Sequence, residues 1–211
     1  MLSFHHAYFE SLLRGIIASQ YPTVVLLGQT GAGKSSLFNA LAGNYLSATS
    51  AVAACTRQPK SHTLYADSPI NLIDMPGLGE SLIRDEEYQA MYAEQIKTAR
   101  LIVWVVKADS RSLRIDAEAF ATLVRPAIRN KNVRVVVVLS QAEKIEPCRE
   151  WNESKNQPGI NQRHHLKRRI AQVAEQFELG EDCVIPVSVH ESWQGKMLMQ
   201  HIRKAASLTS L

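Results

Sequence analysis

The sequence predicts an α/β domain with a mostly parallel, six-stranded sheet flanked by helices, and three observations predict it. Continuous apolar runs alternate with helical patterns along most of the 211 residues, as strands buried on both faces and their covering helices do. A glycine-rich segment, Gly28 to Ser35, falls between the first apolar run and the first helical pattern. A composition with 45% hydrophobic and 21% charged residues suits a chain that buries a core and excludes a disordered polyelectrolyte.

The elements follow in order. Phe4, Tyr8, Leu12 and Ile16 recur at helical spacing, with Phe9, Leu13 and Ile17 alongside, so residues 1–20 read as an amphipathic helix packed on or beside the domain. A membrane or dimer contact is the alternative for that stripe. Pro22 separates it from a single domain over 21–211. Strands are expected at Thr23 to Leu27, Ser61 to Tyr65, Ile70 to Asp74, Leu101 to Lys107, Val133 to Leu139 and Asp182 to Val187. Helices are expected at Lys34 to Ala42, around Asp85 to Thr98, and at Leu113 to Asn130, Asn161 to Phe177 and Trp193 to Ala206. The polar stretch 141–162, with Asn152, Ser154, Asn156, Pro158 and Gly159, reads as a long inserted loop.

Several classes drop out. The longest apolar runs fall well short of the ~18 residues that span a bilayer, and His5, His6 and Glu10 interrupt any signal-like stretch. A soluble, cytoplasmic protein is expected. Cys55, Cys148 and Cys183 are too scattered for a disulfide framework or a zinc site. The net charge of +4 is local, because Lys144 to Arg169 alone holds seven basic and three acidic residues. A solvated helix face is the ordinary explanation for such a run, and an RNA contact the functional one.

Gly28-Gln29-Thr30-Gly31-Ala32-Gly33-Lys34-Ser35 fits G-x-x-x-x-G-K-[ST], directly after a strand and opening a helix. Its glycines let successive backbone N–H groups curl around a phosphate at a helix amino terminus, where the dipole favours an anion, and Ser36 continues that turn. Lys34 adds a cation for the β- and γ-phosphates, and the Ser35 hydroxyl is a hard oxygen suited to Mg²⁺. Downstream, Asp74-Met75-Pro76-Gly77 is a D-x-x-G segment at a strand end. Asp74 can hold Mg²⁺ through water, and the Gly77 N–H can register a γ-phosphate. Between the two lies Thr56, placed where a threonine could close over Mg²⁺ and the γ-phosphate; the plainer reading is a surface residue.

Together with Ala54-Cys55-Thr56-Arg57, Asp74 to Glu80 and Trp104-Val105-Val106-Lys107-Ala108-Asp109, these segments resemble the translation-factor-related GTPases of the Era and TrmE type. Within that family the chain looks most like the prophage-associated bacterial GTPases described as ribosome-binding, and the resemblance covers about residues 20 to 200. It implies a Ras-like P-loop fold, GTP and GDP as ligands with Mg²⁺, and two switch segments near Ser47 to Arg57 and Met75 to Tyr88.

Such a fold reads guanine with N-K-x-D after its fifth strand, whereas this chain has Ser140-Gln141-Ala142-Glu143 there. A carboxylate is kept but lengthened by a methylene, so weakened guanine selectivity is expected. Val106-Lys107-Ala108-Asp109 also looks like x-K-x-D but follows the fourth strand, and topology favours Ser140 to Glu143. Ser188-Val189 then takes the last loop, whose backbone N–H would meet the guanine O6. The water-orienting Gln expected directly after D-x-x-G is Leu78, and the position where some relatives bind potassium through Asn is Gly31. Lys34, Thr56 and Gly77 are the candidate catalytic residues; Glu80, Arg84 and Arg57 are local candidates for a missing group, or simply solvated charges.

The leading expectation is a GTP-binding, slowly hydrolysing molecular switch. A nucleotide-binding scaffold without hydrolysis and a P-loop kinase are the alternatives. A homodimer and a ribosome or RNA contact through 144–169 are the further partners considered.

Overall fold

The computed structural model describes residues 21–43, 58–65, 68–79, 82–131 and 133–207, with the backbone path alone for 82–88, 130 and 131. Its sheet comprises β1 (Thr23–Leu27), β2 (Lys60–Leu64), β3 (Ile70–Asp74), β4 (Leu101–Lys107), β5 (Arg134–Ser140) and β6 (Val184–Pro186), in the order β2-β3-β1-β4-β5-β6. All pairings are parallel except β2 with β3. The expected 1–20 helix, Thr56, Arg57 and Glu80 lie outside the described residues.

Alternation along the strands separates two cores. Val25, Leu27, Ile73, Trp104, Val106, Val137 and Leu139 face one side of the sheet. They meet Tyr92 and Ile96 of α2 (Leu82–Thr98), Phe120 of α3 (Arg114–Leu123) and Phe177 of α5 (Ile160–Phe177). Trp104, Phe120 and Phe177 close this side edge-to-face, with centroids 5.0 to 6.3 Å apart. Val24, Leu26, Leu72, Val103, Val105 and Val138 face the other side, against Leu37 and Phe38 of α1 (Lys34–Leu41) and Leu198 and Ile202 of α6 (Gly195–Ser207). Burying each such side chain stabilises the fold by roughly 1.5 to 3 kcal/mol. Continuous apolar runs in β1, β4 and β5 are thus the imprint of a sheet covered on both faces.

Element boundaries differ from expectation where local chemistry intervenes. The single helix expected over Leu113 to Asn130 is two, α3 and α4 (Arg125–Lys131), broken at Val124. Pro126 explains the break, since it has no N–H to continue the ladder from α3 and is tolerated only in the first turn of a helix, where it sits in α4. The last strand shortens to Val184–Pro186 because Glu181–Cys183 forms a 3₁₀ turn. The stretch 141–162 is not a plain loop: it holds 3₁₀ turns at Ala142–Lys144 and Cys148–Glu150 and a bridge between Asn152 and Gln157.

Register places the site. Leu26 pairs with Asp74, Leu27 with Trp104 and Lys107 with Ser140, so the carboxyl ends of β1, β3, β4 and β5 share one edge. In open α/β sheets that edge is where ligands bind.

Candidate nucleotide site

Gly28 follows β1 at φ 141°, and a Cβ there would lie 2.3 Å from the Val105 carbonyl oxygen. Only glycine lets the chain leave the sheet this close to β4. The loop then climbs to Gly33, a left-handed residue at φ 92° that caps α1 without any side-chain hydrogen bond. Gly33 thus places no capping side chain over the start of α1, and the helix dipole points its positive end at the loop, as in anion-binding helix termini. Lys34 is 6% exposed, with Nζ donating to the Gln29 carbonyl at 2.9 Å. Its ammonium is held across the loop mouth. Ser36 sits exposed in the first turn of α1.

Ser35 Oγ donates to Asp74 Oδ2 at 2.7 Å, and Asp74 is fully buried. Among the described residues no cluster of three or more Asp, Glu, His or Cys could hold a metal by itself. A hydroxyl and a carboxylate beside a phosphate loop nevertheless fit Mg²⁺, which takes one or two protein oxygens and completes its shell with phosphate oxygens and water.

The D-x-x-G segment lies directly against the loop. Thr30 N–H donates to the Leu78 carbonyl at 3.0 Å, and Leu78 N–H donates to the Gly28 carbonyl at 3.2 Å. Gly77 is what permits the approach, because a Cβ on it would sit 2.2 Å from Thr30 Oγ1 and 2.6 Å from Thr30 Cα. Leu78 itself is half-buried and lines a cavity of about 320 Å³ with Gln29, Gly79, Gln89, Tyr92 and Ile115. Arg84 lies on α2.

At the other end of the edge, Ser140 is 3% exposed, and its Oγ lies 2.6 Å from the Ala32 carbonyl and 3.3 Å from that of Val106. Its one hydroxyl proton goes to the nearer, tying the β5 end to the phosphate loop. Gln141 follows in the left-handed region at φ 56°, its Oε1 accepting from Lys144 Nζ at 2.7 Å. Glu143 is half-buried, and its Oε2 is buried without a hydrogen-bond partner among the described residues. Gln162, fully buried, holds the turn by donating through Nε2 to the Glu143 and Ile145 carbonyls, each at 3.0 Å.

Ser188 departs from expectation. Its N–H donates to the Trp193 carbonyl at 3.2 Å, closing a bridge with Trp193. That donor is engaged within the loop, which leaves Val189 as the position able to offer a backbone N–H. Trp193 in turn meets Trp151 of the 141–162 stretch edge-to-face at 5.7 Å, so the ordered insertion braces the last loop.

Sequence reasoning missed a buried polar contact. Asp116 on α3, 3% exposed, accepts from Gln29 Nε2 at 2.9 Å and from Trp104 Nε1 at 3.3 Å. Burial pushes its carboxyl up to about 6, against opposing effects of the Trp104 hydrogen bond and the Lys34 and Arg169 charges. The only sequence signal is one acid among the buried positions Asp116, Ala117 and Phe120 of α3. In the basic segment, Arg163, His164, His165, Lys167 and Arg168 are exposed. Arg169 instead turns inward, donating to the Ser110 carbonyl and, at 2.8 Å, to Gln172 Oε1.

Comparison with known proteins agrees with this geometry. An uncharacterized protein of Escherichia coli (strain K12), YkfA, is 37% identical over 92% of this chain, and another, YfjP, is 36% identical over 87%. The chain spans 66% and 61% of those two proteins' own lengths. The tRNA modification GTPase MnmE of a Janthinobacterium strain is 31% identical over 53% of the chain and a quarter of its own length. Among solved structures, Era in complex with MgGDPNP and a 16S ribosomal RNA segment superposes with a TM-score of 0.69 at 21% identity, covering 90% of this chain and 58% of that one. The family model described as 50S ribosome-binding GTPase matches residues 23–141, from β1 through the phosphate loop to Gln141, and the chain therefore belongs to that family of GTP-binding P-loop GTPases.

Proposed function

We propose that the protein is a nucleotide-dependent molecular switch that binds GTP and GDP with Mg²⁺ and hydrolyses GTP slowly. One observation carries the reading: the Gly77-Leu78 segment lies hydrogen-bonded along the phosphate loop, where a γ-phosphate must be sensed. In this reading Gly28, Gln29, Thr30, Gly31, Ala32, Gly33, Lys34, Ser35 and Ser36 hold the phosphates, and Ser35 and Asp74 hold Mg²⁺, with Thr56 joining them. The metal supplies charge neutralisation at the phosphates. Lys34 fixes the phosphate oxygens and stabilises charge developing on them, and Gly77 N–H reports the terminal group.

The base falls to the other end. Glu143 Oε2, a buried acceptor with no protein partner among the described residues, suits the two donors on the guanine edge. Ser140 and Gln141 position that loop, and Val189 N–H meets the guanine carbonyl.

Slow hydrolysis follows from Leu78, which can neither donate to nor accept from a water. Leu78 is also what favours the second reading, a nucleotide-dependent scaffold without hydrolysis. A partner or second copy supplying the missing group is supported by a structural neighbour, a chloroplast translocon component for whose GTPase activity dimerization is described as important, at TM-score 0.65. A ribosomal or RNA partner is supported by the family description and by the exposed cations of α5. Single-turnover phosphate release decides among these. We expect a slow rate that rises with protein concentration or with added ribosomes; fast release from dilute protein overturns the slow-switch reading, and none under any condition leaves the scaffold.

A further inference from the structure

The segment Val106-Lys107-Ala108-Asp109 follows β4 rather than β5, yet its lysine reaches the phosphate loop. Lys107 is the last residue of β4 and pairs in register with Ser140, the last of β5. Its half-buried side chain brings Nζ within 3.8 Å of where a Cβ on Gly31 would sit. Gly31 is midway along the phosphate loop in sequence, two residues before Gly33, whose corresponding position lies 3.5 Å from Ser140 Oγ. On the base loop itself, Gln141 brings only a neutral amide to the same rim, with Nε2 3.8 Å from the corresponding position of Gly33.

We propose that Lys107 is a nucleotide-binding residue, its ammonium contacting the sugar–phosphate segment of a bound nucleoside di- or triphosphate over Gly31. The β4 strand end thereby supplies the cation that the second position of the base loop, Gln141, lacks; Lys144 Nζ is engaged by Gln141 Oε1 at 2.7 Å. A lysine stem anchored at a strand end needs little rearrangement to do this, because neighbouring strand pairing fixes its Cα beside the loop. An ammonium aimed at an oxygen of an anionic ligand forms a charge-assisted hydrogen bond, stronger than the amide of Gln141 could make. Contact with a portion common to GDP and GTP predicts equal effects on both.

The inference rests on the proposed nucleotide site, and the test separates the two. Affinities for GDP and GTP with Mg²⁺ are measured by calorimetric titration of the wild type, Lys107→Met, Lys107→Arg and Lys107→Met/Gln141→Lys, with nucleotide-free melting temperatures as a check on folding. Lys107→Met should lose roughly tenfold or more for GDP and GTP alike. Lys107→Arg should retain most of the affinity, and Gln141→Lys should restore much of it in the Lys107→Met background. Wild-type affinity in folded Lys107→Met overturns the assignment, as does a loss that neither cation rescues. A wild type that binds no guanine nucleotide overturns the proposed function instead.

Discussion

Gln29 of the phosphate loop and Asp116 of α3, 87 positions apart, are joined by an Nε2 to Oδ2 hydrogen bond of 2.9 Å. The carboxylate thus braces the loop from below while lying in an environment that favours its neutral form. With a folded pKa of about 6 against an ordinary value of 3.8, the folded state holds this proton more tightly than the unfolded chain does. Its contribution to stability is therefore full below the ordinary value and falls as pH rises toward about 6. Asp116→Asn should flatten that slope and stabilise the nucleotide-free protein above pH 6 by about 1 to 3 kcal/mol. Urea unfolding at pH 5 and pH 7.5 checks this, and an unchanged difference between the two pH values contradicts it.

Glycine positions give a second, independent test. Gly77→Ala drives a Cβ into Thr30 backbone, and Gly28→Ala drives one into the Val105 carbonyl, so each should cost about 1 to 3 kcal/mol in thermal or urea unfolding. Gly195, where a Cβ would meet nothing within 4 Å, is the control, and its alanine variant should be neutral or slightly stabilised.

Phosphate and metal binding separate by substitution. Lys34→Ala should abolish measurable binding of any triphosphate. Ser35→Ala should weaken GDP and GTP binding in Mg²⁺ while changing affinity in chelator little, because it removes a metal ligand rather than a phosphate contact. Equal losses in both conditions contradict that role.

Base recognition rests on Glu143. Replacing its carboxylate by an amide exchanges an acceptor for a donor, so Glu143→Gln should lose roughly 5- to 150-fold for GDP and shift preference toward XDP, whose ring carries a carbonyl in place of the amine. An unchanged GDP to XDP ratio removes Glu143 from the site.

Strands, phosphate loop and D-x-x-G segment were legible because each is local: an apolar run, a fixed glycine spacing, an acid at a strand end. That Ser140 to Glu143 follows the fifth strand and Lys107 to Asp109 the fourth was also legible, and β5 ends at Ser140 and β4 at Lys107. What escaped is long-range. Nothing near Asp116 announces Gln29, and Lys107 approaches Gly31 only because β4 lies between β1 and β5. The clasp of Trp193 on Trp151 depends on how the insertion folds back. Arg169 illustrates the limit of charge runs: it reads as one more surface cation and instead ties α5 to Ser110.

Calorimetric titration of GDP, GTP, ADP and ATP in Mg²⁺ tests most directly that the phosphate loop and the Glu143 loop together make a guanine-nucleotide site. Both guanine nucleotides should bind at least about tenfold more tightly than their adenine counterparts, the margin that one well-placed carboxylate supplies. ATP bound as tightly as GTP would contradict the account.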